Sequence, residues 1–205
     1  MMLPLAGKTV LEVGAGIGDH TSFFLDRGCR VTSTDARPEL LEVLKQRFPE
    51  AVTAQWQLED SAPESLDKHE VLYAYGILYH THNPEIVLER FSSLCSEVLL
   101  LETCVSYGDK PEINLVDERP EDPTQAYSGK GCRPTRIWIF RKLQSLFEYV
   151  YVTKTQPWHA EFPIHWGDGP TEPPREFQRA VFIASRTPLD SDKLSLTLLD
   201  RQERS

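Results

Sequence analysis

Residues 9–13 read Thr-Val-Leu-Glu-Val and run directly into Gly14-Ala15-Gly16-Ile17-Gly18. A β-branched, apolar stretch of this kind is a buried strand, and the pattern beyond it, with Phe23, Phe24 and Leu25 turned inward, is helical. Three glycines at a strand-to-helix junction leave room where any Cβ would clash. They also present free N–H groups at a helix start. A second apolar run, Arg30-Val31-Thr32-Ser33-Thr34, ends in Asp35, seventeen residues beyond Gly18. A carboxylate in that place accepts both hydroxyls of a ribose. The chain is thereby constrained to a βαβ unit open to a nucleoside.

The glycine spacing discriminates between nucleosides. A dinucleotide fingerprint requires G-x-G-x-x-G, with its third glycine below a pyrophosphate. That position is Asp19 here, which argues against a nicotinamide-dependent oxidoreductase. The pattern is instead E-x-G-x-G-x-G, with Glu12 inside the strand. An acid beside the glycines suits a cofactor carrying a cationic sulfonium and an ammonium. The stretch resembles motif I of the class I S-adenosylmethionine-dependent methyltransferases, and Asp35 resembles their ribose-binding acid. The resemblance implies S-adenosyl-L-methionine as cofactor, held over Glu12, Gly14, Ala15, Gly16 and Gly18, with His20 in the following helix touching it.

Composition supports an enzyme of this kind. At 205 residues the chain suits one domain with a sizeable core. A formal charge of −9 argues against nucleic acid or an anionic membrane as partner, since both need Lys and Arg to neutralise phosphates. No apolar run reaches the length of a membrane span, and no signal-like leader opens the chain. Cys29, Cys95, Cys104 and Cys132 form no C-x-x-C pair and read as free thiols in a reducing cytosol. The expectation is a soluble, cytoplasmic protein.

Strands alternate with helical patterns, which points to a parallel α/β sheet. Strands are expected at 9–13, 30–34, 52–57, 71–75, 98–104, 149–155 and 180–185. Helices are expected near 18–27, at 38–48, from Pro84 to Leu94, and from Pro134 through Phe147. The fold expected is Rossmann-like: a seven-stranded, mostly parallel sheet with helices on both faces and an antiparallel last strand, forming one domain over 1–188. Residues 105–132 and 156–178 are rich in Pro, Gly, Asp and Glu and read as lid-like loops at the carboxyl edge. The polar tail, 189–205, reads as a terminal helix or a frayed end.

Further contacts follow from position. The resemblance implies that the segment after the third strand meets the adenine amino group and ring, and there Gln57 and Leu58 fit best by register; Glu59 or Asp60 serve if the register slips. Tyr75, at the end of the fourth strand, precedes Gly76-Ile77-Leu78-Tyr79-His80, the segment where class I methyltransferases touch both cofactor and acceptor. The stretches "GILYHTHNP", "LLETCVSYGD" and "GCRPTRIWIFRKLQSLF" are similar to a subgroup containing tRNA wobble-uridine carboxymethyltransferases and related small-molecule enzymes. That likeness implies that Tyr79 and Arg133 occupy positions which hold the carboxylate of carboxy-S-adenosylmethionine. The chain lacks the subgroup's long N-terminal extension, and its acidity suits tRNA poorly, so a plain methyl donor and a small-molecule acceptor are expected.

Methyl transfer to oxygen or nitrogen needs proximity and a group that takes the acceptor's proton. His80 is the first choice as base, with Tyr79 beside it; a noncatalytic cofactor-binding protein is the contrasting class. His159 and His165, in the aromatic loop "QPWHAEFPIHW", are candidates for acceptor binding. Metal-assisted chemistry would need converging carboxylates after the fourth and fifth strands. Glu102 and Asn114 stand there without a set of aspartates, so no metal is expected.

Overall fold

The computed structural model describes residues 4–166 and 178–205. Strands β1 (Thr9–Val13), β2 (Arg30–Asp35), β3 (Val52–Gln55), β4 (His69–Tyr75) and β5 (Cys95–Cys104) are linked by α1 (Thr21–Leu25), α2 (Pro38–Arg47) and α3 (Pro84–Leu94). A hairpin of β6 (Leu115–Asp117) and β7 (Lys130–Cys132) follows, then α4 (Arg136–Leu146). The chain ends with β8 (Tyr149–Thr153), β9 (Thr155–Gln156), β10 (Arg179–Ser185), β11 (Leu194–Ser195) and β12 (Glu203–Arg204).

Eight strands form one sheet in the order β11-β8-β10-β5-β4-β1-β2-β3. The five from β5 to β3 are parallel, while β10 runs antiparallel to both β5 and β8. Leu11, Leu72 and Leu99 sit side by side across β1, β4 and β5, and each is fully buried. Their face packs with Phe91 of α3 and with Ile139 and Leu143 of α4. Val10, Val31 and Val71 bury the opposite face under Phe24 of α1. A strand buried on both faces has no polar side to alternate, which is why β5 reads as a continuous apolar run. The strand order reverses between β1 and β4, and such a switch point opens a crevice beyond the strands' carboxyl ends.

Four expectations change. The sheet has an eighth strand, because β11 from the tail pairs with β8. The tail also supplies β12, which pairs with β9, so it is neither a helix nor frayed over these residues. Residues 105–132 contain the β6–β7 hairpin rather than plain loop. Finally, α4 starts at Arg136, two residues after Pro134, because Thr135 is its cap and its side chain accepts the Trp138 N–H. Of the second expected loop, residues 167–177 lie outside the described residues. No helix of the described residues is long and apolar enough to cross a membrane.

Thr135 is fully buried, and besides the cap its Oγ1 accepts from Glu112 N at 3.1 Å and donates to Lys110 O at 2.7 Å. One hydroxyl thus joins the start of α4 to the chain leaving β5. Thr135→Ala should lower unfolding free energy by about 1–2 kcal/mol. Urea denaturation measures this as a lower midpoint at unchanged slope.

Candidate active site

The loop leaving β1 makes the floor of a cleft. Gly14 has φ +66°, and a Cβ there would fall 2.5 Å from the Ile77 side chain, so no larger residue fits. Gly16, at φ +56°, faces open space: a Cβ there would meet nothing within 4 Å. Its N–H donates to Asp35 Oδ2 at 2.9 Å, while the Arg37 N–H donates to Asp35 Oδ1 at 2.9 Å. The acid at the end of β2 thereby fixes the glycine loop and the entry to α2 together. Each oxygen keeps a lone pair for a ligand.

Arg37 carries the connection upward. Its guanidinium donates to the carbonyls of Pro120 and Asp122, both at 3.1 Å, and of Gln125 at 3.3 Å. Residues 120–127 are thus drawn over the cleft as a roof. The other end of that roof hangs on Glu118, whose carboxylate meets His80 Nδ1 at 2.5 Å, accepts from Ala126 N at 2.7 Å and pairs with Arg133 at 3.3 Å. Burial pushes the Glu118 pKa up, but His80, the Ala126 N–H and Arg133 outweigh it, and the acid is held below its ordinary value.

The enclosed volume is about 230 Å³. Gly14, Gly16 and Gly76 lie at its floor, Asp35 and Arg37 along one wall, and Trp56, Gln57 and Leu58 beyond them. Tyr79 and His80 close the opposite end. A second hollow of about 440 Å³ shares Gly76 and Tyr79 with the first, and is otherwise lined by Tyr75, Pro157, His159, Glu161, Phe162 and Arg179. Arg179 donates to both Glu102 oxygens at 3.1 Å, to Glu161 at 2.7 Å and to the Tyr79 hydroxyl at 3.3 Å. Burial pushes the pKa of Glu102 and of the Tyr79 phenol up, with Arg179 opposing both shifts.

Of the residues expected at the cofactor, Gly14, Gly16, Asp35, Gln57 and Leu58 line the first cleft. Glu59 accepts the His82 and Asn83 N–H groups, the Asp60 backbone carbonyl accepts the Trp56 indole, and neither lines the cleft that Gln57 and Leu58 line. Glu12 does not line the cleft. It is 2% exposed beneath the loop, accepting from Thr21 at 2.6 Å and Ser33 at 2.8 Å. Ala15 pins the loop through its N–H to Thr34 O, and Gly18 lies against Leu44 and Phe48 of the α2 region, so neither faces the space. His20 packs its ring 4.8 Å from that of Tyr75.

Tyr75 and His159 line the second hollow, and Tyr79 belongs to both. Arg133 does not line either; its guanidinium reaches the Tyr79 carbonyl at 3.1 Å and Glu118. His165 is drawn elsewhere, into a bridge with Arg201 of the tail. The residues that sequence reasoning missed are Arg37, Glu118 and Arg179. Glu118 stands in an acidic run that reads as a solvated face, and Arg179 opens a strand with no local signal of its role.

Comparison with known proteins agrees with this geometry. A family model described as a methyltransferase domain matches residues 11–97. The tRNA U34 carboxymethyltransferase of Idiomarina loihiensis is 25% identical over 147 residues, covering 67% of this chain and 45% of its own length. The chain therefore spans less than half of that relative. The S-adenosylhomocysteine-bound N-terminal domain of EvdMO1 superposes with a TM-score of 0.67 at 19% identity, over 87% of this chain and 75% of that one. The 1,6-didemethyltoxoflavin-N1-methyltransferase of Burkholderia thailandensis gives 0.57 at 20% identity, over 89% and 72%. These superpositions show a shared fold.

The depressed Glu118 pKa has a definite sign in stability. A carboxyl whose folded pKa lies below its ordinary 4.5 stabilises fully above that value and progressively less as pH falls through the folded one. The stability difference between the native chain and Glu118→Gln should be constant above pH 4.5 and shrink in more acidic solution. Urea midpoints measured across that range test it, and a difference independent of pH would refute the role given to the ionised carboxylate.

Proposed function

Because the chain belongs to the class I S-adenosylmethionine-dependent methyltransferases, we propose that it methylates an oxygen of a small-molecule acceptor, with His80 as general base. The observation that carries the reading is the switch-point cleft, where Gly16 faces open space beside the Asp35 carboxylate. The residues present fit the cofactor. Asp35 has lone pairs left for ribose hydroxyls, Gln57 offers an amide to the adenine edge, and Leu40, Trp56 and Leu58 provide apolar walls for the ring. When bound, S-adenosylmethionine supplies a methyl group made electrophilic by its sulfonium.

The chain's own residues do the remaining work. Glu118 is ionised at neutral pH and has no proton to give, so His80 Nδ1 is the donor in their contact. The His80 Nε2 lone pair is then left to take a proton from an acceptor hydroxyl, with Glu118 as its positioning residue. The Tyr79 phenol stays protonated and orients groups between the two hollows. A volume of about 440 Å³ suits a small acceptor, and the Burkholderia neighbour is one bound to a small molecule, 1,6-didemethyltoxoflavin.

A methyl donor is favoured over a carboxymethyl donor by charge. Arg133 pairs with Glu118, and Arg179 with Glu102 and Glu161, so the cations flanking Tyr79 already face carboxylates. A further carboxylate on the donor would compete with these resident acids.

Calorimetry with S-adenosylhomocysteine, NAD and carboxy-S-adenosylmethionine tests the cofactor. The first should bind, NAD should not, and the carboxylated form should bind no tighter than S-adenosylmethionine. Asp35→Ala should weaken S-adenosylhomocysteine by about 1.5–3 kcal/mol, the loss of a charged hydrogen-bond partner. Unchanged affinity would sink the ribose assignment. For an acceptor returned by a screen with labelled S-adenosylmethionine, His80→Ala should lower kcat by about 10²–10⁴ and leave S-adenosylhomocysteine affinity within a few-fold. A variant that turns over normally would remove His80 from the mechanism.

A further inference from the structure

A third hollow, of about 550 Å³, opens beyond the end of β5 and shares no lining residue with the cleft or with the hollow at Arg179. Its apolar lining includes Tyr107, Ile137, Trp166 and Leu198, and its cation is Arg136. The rings of Tyr107 and Trp166 stand 5.7 Å apart, and the Arg136 guanidinium lies 4.0 Å from the Trp166 ring centroid.

Arg136 is the unfinished feature. It is 8% exposed, yet among the described residues the guanidinium's hydrogen bond runs from Nη1 to the Leu199 carbonyl at 3.1 Å. Among the described residues its Nε has no hydrogen-bond partner, and no carboxylate forms an ion pair with it. Arg133 and Arg179, which are less buried, each face a carboxylate at close range. Burial holds the Arg136 pKa down at about 10, with Asp200 and Tyr107 opposing, so the group is still cationic at neutral pH. Among the described residues this buried guanidinium has one carbonyl and one aromatic face but no paired carboxylate, the partner that normally compensates its desolvation.

The backbone adds to the same field. Arg136 and Ile137 are the first two residues of α4, an eleven-residue helix, and both line the hollow. The cap from Thr135 goes to the Trp138 N–H, and the positive end of the helix dipole lies at these two residues. Asp109 and Asp200 also line it, which disfavours any ligand carrying two negative charges.

We propose that this hollow is a second ligand site, for a monoanionic aromatic carboxylate held by the Arg136 guanidinium with its ring against Tyr107 and Trp166. A planar guanidinium matches a carboxylate bidentately, and the aromatic walls remove the ring from water. The site is separate from methyl transfer and does not rest on that assignment. It still touches the acceptor side. Trp166 ends the segment whose residues Pro157, His159, Glu161 and Phe162 line the hollow at Arg179.

Calorimetry on the full chain, with benzoate as probe, tests the site. Benzoate should bind with one-to-one stoichiometry and equally well with the cofactor cleft saturated by S-adenosylhomocysteine. Benzamide, its neutral counterpart, and inorganic phosphate should each bind at least about tenfold more weakly. Arg136→Met should weaken benzoate by about tenfold or more and leave S-adenosylhomocysteine affinity within about twofold. The proposal is overturned if benzoate gives no saturable heat, if benzamide or phosphate matches it, if S-adenosylhomocysteine displaces it, or if the variant binds it normally. Should Arg136→Met fail to fold, the comparison of benzoate with benzamide on the native chain decides alone.

Discussion

The Asp35 carboxylate is the interaction on which the site depends. One oxygen takes the Gly16 N–H and the other the Arg37 N–H, so a single side chain joins the β1 loop to the start of α2. Both partners of the carboxylate are backbone amides, so the contacts do not depend on the side chain at either partner position. Arg37 extends the same chain of contacts to the roof through three carbonyls. Floor, the acid at the end of β2 and roof are in this way one connected unit. Charge-assisted bonds from backbone amides make such a carboxylate an effective organiser.

Ionic pairing decides how the opposite end behaves. Tyr79 lies among Arg133 and Arg179, and each of these is matched by buried acid. Partly buried cations so paired are committed to structure, and breaking a pair strands the other charge. Glu118 has the central place, because its two oxygens serve His80, Ala126 and Arg133 together. The same carboxylate that anchors the roof fixes the imidazole. Closure over the cleft and orientation of the His80 ring are thereby coupled in one residue.

Much of this was legible in the chain where a short segment carries its own constraint. Gly14, Gly16 and Asp35 stand at fixed offsets from a buried strand, and the fold brings them together as those offsets require. Pro84, with Asn83 before it, marks the start of α3 to the residue. Where the determining contact is long-range, the sequence is silent. Arg179 meets Glu102 because β10 returns antiparallel along β5, pairing Arg179 with Cys104, and no local pattern announces that register. Glu118 is hidden for the opposite reason: its acidic neighbours describe a surface loop, yet the hairpin folds its one side chain inward. Strands of two residues, such as β11 and β12, are too short to show any period.

The tail illustrates how a polar segment can be structural. Gln202 is 2% exposed, and its amide donates to the Thr153 carbonyl at 2.5 Å. Its Oε1 accepts from the Gln156 amide at 3.1 Å and from the Trp166 indole at 2.7 Å. One glutamine therefore spans both ends of the segment from 156 to 166, which lines the hollow at Arg179 at one end and the Arg136 hollow at the other. Leu198 and Asp200 reach the latter from the same tail. The cleft at Gly16 and Asp35 takes its floor and walls from the loops of the parallel half of the sheet and only its roof from beyond β5, whereas both further hollows draw more heavily on segments after β5. That division lets one half of the fold keep its ligand while the other adapts to what is brought to it.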